Sequence, residues 1–158
     1  MGVAASGKTT AGVALARALG WPFHDADDFH SAANRARMHA GVALTDADRA
    51  PWLADLRALV GHVLDRGGRA VLACSALTER YRQALVPDHE PAGAVRFVFL
   101  DVPRDVLHER LARRAHFFAP KLLDSQLSTL EEPRDAVRVD GTRPVSEIID
   151  AIRRAFGI

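Results

Sequence analysis

Gly2-Val3-Ala4-Ala5-Ser6-Gly7-Lys8-Thr9 carries the spacing G-x-x-x-x-G-K-[ST], the pattern of a phosphate-binding loop. In such a loop the backbone N–H groups of a tight turn and the N-terminus of the following helix converge on phosphate oxygens. The lysine reaches the β- and γ-phosphates as a flexible point charge, and the hydroxyl after it ligates Mg²⁺. Gly2, Val3, Ala4, Ala5, Ser6, Gly7, Lys8, Thr9 and Thr10 are therefore candidate phosphate contacts, with Lys8 the catalytic cation and Thr9 a metal ligand. Gly7 to Leu19 has the apolar periodicity of a helix, and Gly20 stops it. The first six residues also fit the N-myristoylation pattern M-G-x-x-x-[ST], but Gly2 has the better task of letting phosphate approach.

The chain has 158 residues, the size of one compact domain. Its 48% hydrophobic and 26% charged residues exclude disorder and fibrous repeats. A net charge of +1 gives no broad field for coating nucleic acid or an anionic membrane, so an anion must be bound locally. Nineteen of the 21 basic residues are arginine, and Lys8 is one of two lysines, which points to a need for an ammonium there. A single cysteine, Cys74, excludes an internal disulfide and fits a reducing cytoplasm. No apolar run nears the ~20 residues of a membrane span, and no signal-peptide pattern is expected.

Beyond the first helix, Phe23 to Ala26 reads as a short strand, and Asp27 to Arg49 as a polar stretch with a short helix. Asp46 is expected to cap a long helix running to Arg66, where Gly67-Gly68 end it. Arg69 to Cys74 and Val95 to Leu100 read as buried strands, with a helix at Leu77 to Leu85 between them. A helix from Asp101 to Arg114 follows, then a polar excursion from Ala115 to Pro133, a strand at Ala136 to Val139 and a helix at Val145 to Phe156. Strands alternating with helices predict an α/β fold with a parallel sheet covered on both faces.

Asp25-Ala26-Asp27 closes the first of these strands, the end at which parallel sheets place ligands. Two carboxylates two apart on a strand face one side. One can hold metal-bound water while the other accepts a proton from a substrate hydroxyl. A plain acidic turn is the bland reading, and the phosphate loop weighs against it.

Together these residues resemble the gluconate kinase family, relatives of shikimate and adenylate kinases. The resemblance extends through D-A-D-D-F-H at Asp25 to His30, D-x-D-R-x-P-W-L at Asp46 to Leu53, C-S-A-L at Cys74 to Leu77 with Tyr81-Arg82, H-F-F at His116 to Phe118, and L-L-x-S-Q-x-x-x-L-E-x-P from Leu122 to Pro133. It implies a three-layer P-loop kinase fold and one domain over residues 1–158. A substrate-binding excursion at about 27–52 and a lid at about 115–133 complete it. It further implies ATP- and Mg²⁺-dependent phosphorylation of the 6-hydroxyl of D-gluconate in the cytoplasm, with no nucleic-acid or membrane partner and with room for a homodimer. On that pattern Asp27 is the base, Asp25 holds Mg²⁺ through water, and Arg114 stabilises the transferring phosphoryl. Arg110 stacks on adenine, and Asp140 to Pro144 forms the loop on its other side. A sugar acid wants an arginine clamp for its carboxylate and short polar groups for its hydroxyls. Arg49 and Arg82 are favoured for the clamp over Arg35 and Arg37; His30, Ser75, Asp27 and His116 are candidates for the hydroxyls. Trp52 reads as core.

Departures from the family pattern carry expectations too. Ala5 replaces a usual glycine and is expected at negative φ. Thr78 replaces a usual lysine, and only Ala115 separates Arg114 from His116, so the lid hinge is shorter. The fold implied also sets a central strand before the phosphate loop, for which no residues are present. The expectation is that the start lies downstream of the natural one and that about ten residues are missing, since a lost central strand costs much of a total stability of ~5–15 kcal/mol. Alternatives are a kinase for another small hydroxy acid, shikimate-like, and a non-catalytic nucleotide-binding module.

Overall fold

The computed structural model describes residues 1–113 and 120–158. Helix α1, Lys8–Leu19, springs from the phosphate loop and ends at Gly20, whose left-handed backbone (φ 67°) turns its N–H back onto the Ala16 and Arg17 carbonyls. Gly12 lets α1 lie against strand β1, Phe23–Asp25, for a Cβ there would stand 2.7 Å from the Phe23 ring. A 3-10 turn, Ala26–Phe29, leads to α2, Ala32–His39, capped by the Ser31 hydroxyl. Helix α3, Asp46–Asp65, is capped by Thr45 in a reciprocal capping box with Asp48, one residue before the expected Asp46. Strand β2, Val71–Ala73, precedes α4, Glu79–Leu85. Thr78 caps α4 by accepting from the Tyr81 N–H, a task lysine could not perform. Strand β3 (Val98–Asp101), α5 (Arg104–Arg113), α6 (Pro120–Thr129), β4 (Val137–Asp140) and α7 (Val145–Phe156) complete the order.

All strand pairing is parallel, in two separate pairs: β1 with β2, Phe23 opposite Val71, and β3 with β4, Val98 opposite Val137. Alternating side chains show that both faces are covered. Val71, Val98 and Leu100 pack with Ala11, Leu15, Ile148 and Ile152 on α1 and α7. Leu72 and Phe97 face the other way, toward Trp52, Leu56 and Leu85 on α3 and α4. A third cluster joins Val3 and Ala5 of the loop to Leu107, Leu111 and Leu123 on α5 and α6. The architecture is thus α/β with three layers, as expected.

The two strand pairs do not bond to each other. Between them stand the backbones of Met1 and Gly2: the Leu100 N–H donates to the Met1 carbonyl, and the Gly2 N–H to that of Ser75. Beside these residues opens a cavity of about 670 Å³ lined by Val71, Leu72, Val98, Ala11 and Leu15. No described helix is long and apolar enough to cross a membrane.

Candidate active site

Loop geometry follows from two glycines with positive φ, Gly2 at 140° and Gly7 at 97°. Ala5 shares this region at φ 62°, which corrects the expected negative value. A left-handed alanine costs about 1–2 kcal/mol, and the burial of its methyl among Val3 and Leu77 offsets part of that. Gly7 precedes α1 without any side-chain cap, so the first-turn N–H groups have no side-chain acceptor. The Ser6 hydroxyl beneath them is 1% exposed and has no hydrogen-bond partner among the described residues. An uncapped helix N-terminus over an unsatisfied buried hydroxyl is chemistry that fits a phosphate group.

Lys8 folds its Nζ back to the Val3 carbonyl at 2.9 Å, over the mouth of the loop. The Thr9 hydroxyl donates to Asp25 Oδ2 at 2.9 Å, and Asp25 Oδ1 accepts the Asp27 N–H at 3.1 Å. Thr9 and Asp25 therefore present hard oxygen donors side by side, a set that suits Mg²⁺. Asp27 does not share a strand face with Asp25, which corrects the expectation from alternation. The strand ends at Asp25, and Asp27 sits in the 3-10 turn that Asp25 caps. The turn still brings the two carboxylates together. Desolvation in the cleft, and then the Asp25 charge, push the Asp27 carboxyl above its usual range, while Lys8 opposes them.

His30 lies against Trp52, ring centroids 4.6 Å apart and nearly parallel. Trp52 is core, as expected, and donates to the Ala26 carbonyl at 2.7 Å. Burial, followed by the Arg49 and Arg35 charges, lowers His30 to about 4, so the imidazole is neutral near pH 7. Its Nδ1 is buried and has no hydrogen-bond partner among the described residues. In the unfolded chain His30 titrates near 6.5, so between about 4 and 6.5 the unfolded state binds more protons and stability falls as pH falls. Asp27, shifted upward, contributes the opposite slope above the ordinary carboxylate range. Urea midpoints of wild type and His30→Asn across pH 4–7 separate the two. The wild type is expected to lose more stability on acidification, by at most about 1.4 kcal/mol per pH unit; parallel profiles would contradict this.

The arginines divide sharply. Arg82, expected in a substrate clamp, is 4% exposed and donates to the carbonyls of Ala76, Leu77 and Glu131 and to the Glu79 carboxylate. Its donors are occupied, and it is a structural cross-link between the Cys74–Leu77 segment and Glu131. Arg35 is tied to the Asp28 and His30 carbonyls, and Arg37 to Asp48 at 2.8 Å. Among the described residues Arg49 makes one hydrogen bond, to the Tyr81 hydroxyl at 3.1 Å, and a looser ion pair with Asp46 at 3.9 Å, which leaves it the most available of these four arginines. Arg110 donates to the Ala5 and Ser6 carbonyls and, at 2.8 Å, to that of Gly141. It thereby pins the loop at residues 140–144 beside the phosphate loop, with Pro144 opening α7. Ser75 contributes its carbonyl to the Gly2 N–H; its hydroxyl takes no part in that bond. Thr10 is exposed on the first turn of α1. Arg114 and His116 lie outside the described residues.

One contact escaped sequence reasoning. The Ala4 N–H donates to Gln126 Oε1 at 2.7 Å, joining α6 to the phosphate loop. Since Leu122 and Leu123 beside it are buried, the described part of the expected lid is anchored on the loop. The L-L-x-S-Q run held part of that signal: its glutamine follows the two leucines by four and three residues, which puts it on their helix face.

Residues 4–147 match the shikimate kinase family. A gluconokinase of Gluconobacter oxydans is 42% identical over 160 residues, covering 99% of this chain and 88% of that protein. The crystal structure of a gluconokinase from Sinorhizobium meliloti is similar with a TM-score of 0.84 and 40% identity, over 99% of this chain and 89% of that one. An unliganded sugar kinase from Janibacter sp. gives 0.89 and 39%, over 100% and 92%.

Proposed function

The chain belongs to the gluconokinases within the shikimate kinase family, and from that premise we propose that it transfers the γ-phosphoryl group of ATP to the 6-hydroxyl of D-gluconate, giving 6-phospho-D-gluconate and ADP. The observation that carries the chemistry is the convergence of Lys8, Thr9, Asp25 and Asp27 at the open N-terminus of α1. Bound Mg²⁺ supplies neutralisation of phosphate charge, and Thr9 with Asp25 would hold it, Asp25 through water. The loop amides and Lys8 orient the phosphates in line with the acceptor hydroxyl. Lys8 leaves the Val3 carbonyl to follow the charge that moves from the γ- toward the β-phosphate oxygens.

Asp27 orients the 6-hydroxyl and accepts its proton as the oxygen–phosphorus bond forms. Its upward shift brings its basicity nearer to that task. Arg49 receives the gluconate carboxylate, and neutral His30 can serve a hydroxyl as donor or acceptor. Arg110 and residues 140–144 form the base side of the nucleotide site. Arg114, for charge on the phosphoryl, and His116, for substrate, rest on the family pattern alone. A cytoplasmic setting follows from ATP use and a lone, buried Cys74.

A coupled assay with ATP, Mg²⁺ and gluconate tests the proposal. ADP release with gluconate is expected, whereas release with shikimate and none with gluconate would overturn it.

A further inference from the structure

We infer that Tyr81 is a positioning residue that keeps the charge of Arg49 available for an anionic substrate; the inference rests on the placement of the gluconate carboxylate at Arg49. Arg49 has a carboxylate three residues before it on α3, Asp46, which could close on the guanidinium and neutralise it. The structure shows the two as an ion pair held short of a direct hydrogen bond. The Tyr81 hydroxyl stands between them, accepting from Arg49 at 3.1 Å and donating to Asp46 Oδ1. Asp46 Oδ2 is drawn to the opposite side by Arg80, at 2.6 Å. Asp46 and Arg49 remain 3.9 Å apart, beyond hydrogen-bond reach.

The device is rigid where it must be. Tyr81 is 6% exposed on α4, and two guanidiniums lie over its ring, with Arg49 Cζ 5.6 Å and Arg80 Cζ 5.4 Å from the centroid. Arg49 is thus held by one acceptor, the Tyr81 hydroxyl, and one ring. Its other N–H groups make no hydrogen bond among the described residues, enough for a bidentate grip on a carboxylate. Without the phenol oxygen, Asp46 loses one of its two anchors and can swing to Arg49, competing with the substrate.

Tyr81→Phe tests this because it keeps the buried ring and leaves exposed Asp46 to water. The KM for gluconate is expected to rise about tenfold, the size of one charge-assisted hydrogen bond, with kcat and the KM for ATP unchanged and Tm lower by a few degrees at most. Adding Asp46→Asn to that variant is expected to bring the KM for gluconate back toward wild type, since a neutral amide cannot quench Arg49. A merely structural Tyr81 predicts no such rescue. An unchanged KM in Tyr81→Phe, or a rise that Asp46→Asn leaves in place, overturns the inference. Wild-type turnover of gluconate, measured alongside, reports separately on the functional reading: if it is absent, that reading fails whatever the variants do.

Discussion

Replacing Lys8 by alanine is expected to lower kcat by at least a hundredfold while Tm moves by no more than a few degrees. Removal of one preorganised donor from a developing negative charge typically costs a factor of 10²–10³. Lys8 is also the first residue of α1 and holds a direct loop contact, its Nζ on the Val3 carbonyl. The Nζ bond to the Val3 carbonyl is partly exposed, and a bond of this kind is worth about 1 kcal/mol. Catalysis and stability should therefore separate. Steady-state kinetics with a thermal melt on the same preparation decide it: turnover within tenfold of wild type would remove Lys8 from the transfer step.

Asp27→Asn should cost more, about 10²–10⁴ in kcat, the usual contribution of a positioned base. The substitution keeps shape and removes the capacity to take a proton. Its pH signature is the sharper test. Because desolvation and the Asp25 charge raise the Asp27 carboxyl, the acid limb of the wild-type kcat/KM profile should begin above the ordinary carboxylate range. Activity falls there as pH falls, for the base becomes protonated. In Asp27→Asn that limb should vanish. A variant that keeps the same limb would show that another group carries it.

Much of this was legible before any coordinates. The phosphate loop is local chemistry: eight consecutive residues fix the turn, and apolar periodicity marks the helix after it. Helix α7 has its expected bounds, Val145–Phe156, because one continuous apolar stripe defines it. Errors arose where neighbours compete. Thr45 and Asp46 are both good caps, and the reciprocal bond from Asp48 decides for Thr45. Strand alternation does not reach Asp27, since the end of a strand read as Phe23 to Ala26 cannot be placed to one residue by pattern alone, and the observed strand stops at Asp25. Arg82 and Arg49 both lie in helical stretches of family-like sequence. What separates them is tertiary: carbonyls five, six and 49 residues away saturate the first, and a phenol 32 residues away steadies the second. The bond from Ala4 to Gln126 spans 122 residues and has no local precursor.

The contact between Ala4 and Gln126 couples two parts of the chain that lie 122 residues apart. A phosphate seated on the loop amides draws on the same backbone that Gln126 holds, so the helix Pro120–Thr129 should feel nucleotide binding directly. Amide exchange along that helix is expected to slow when ATP is added, and an unchanged rate would show that α6 holds the loop without reading its occupancy.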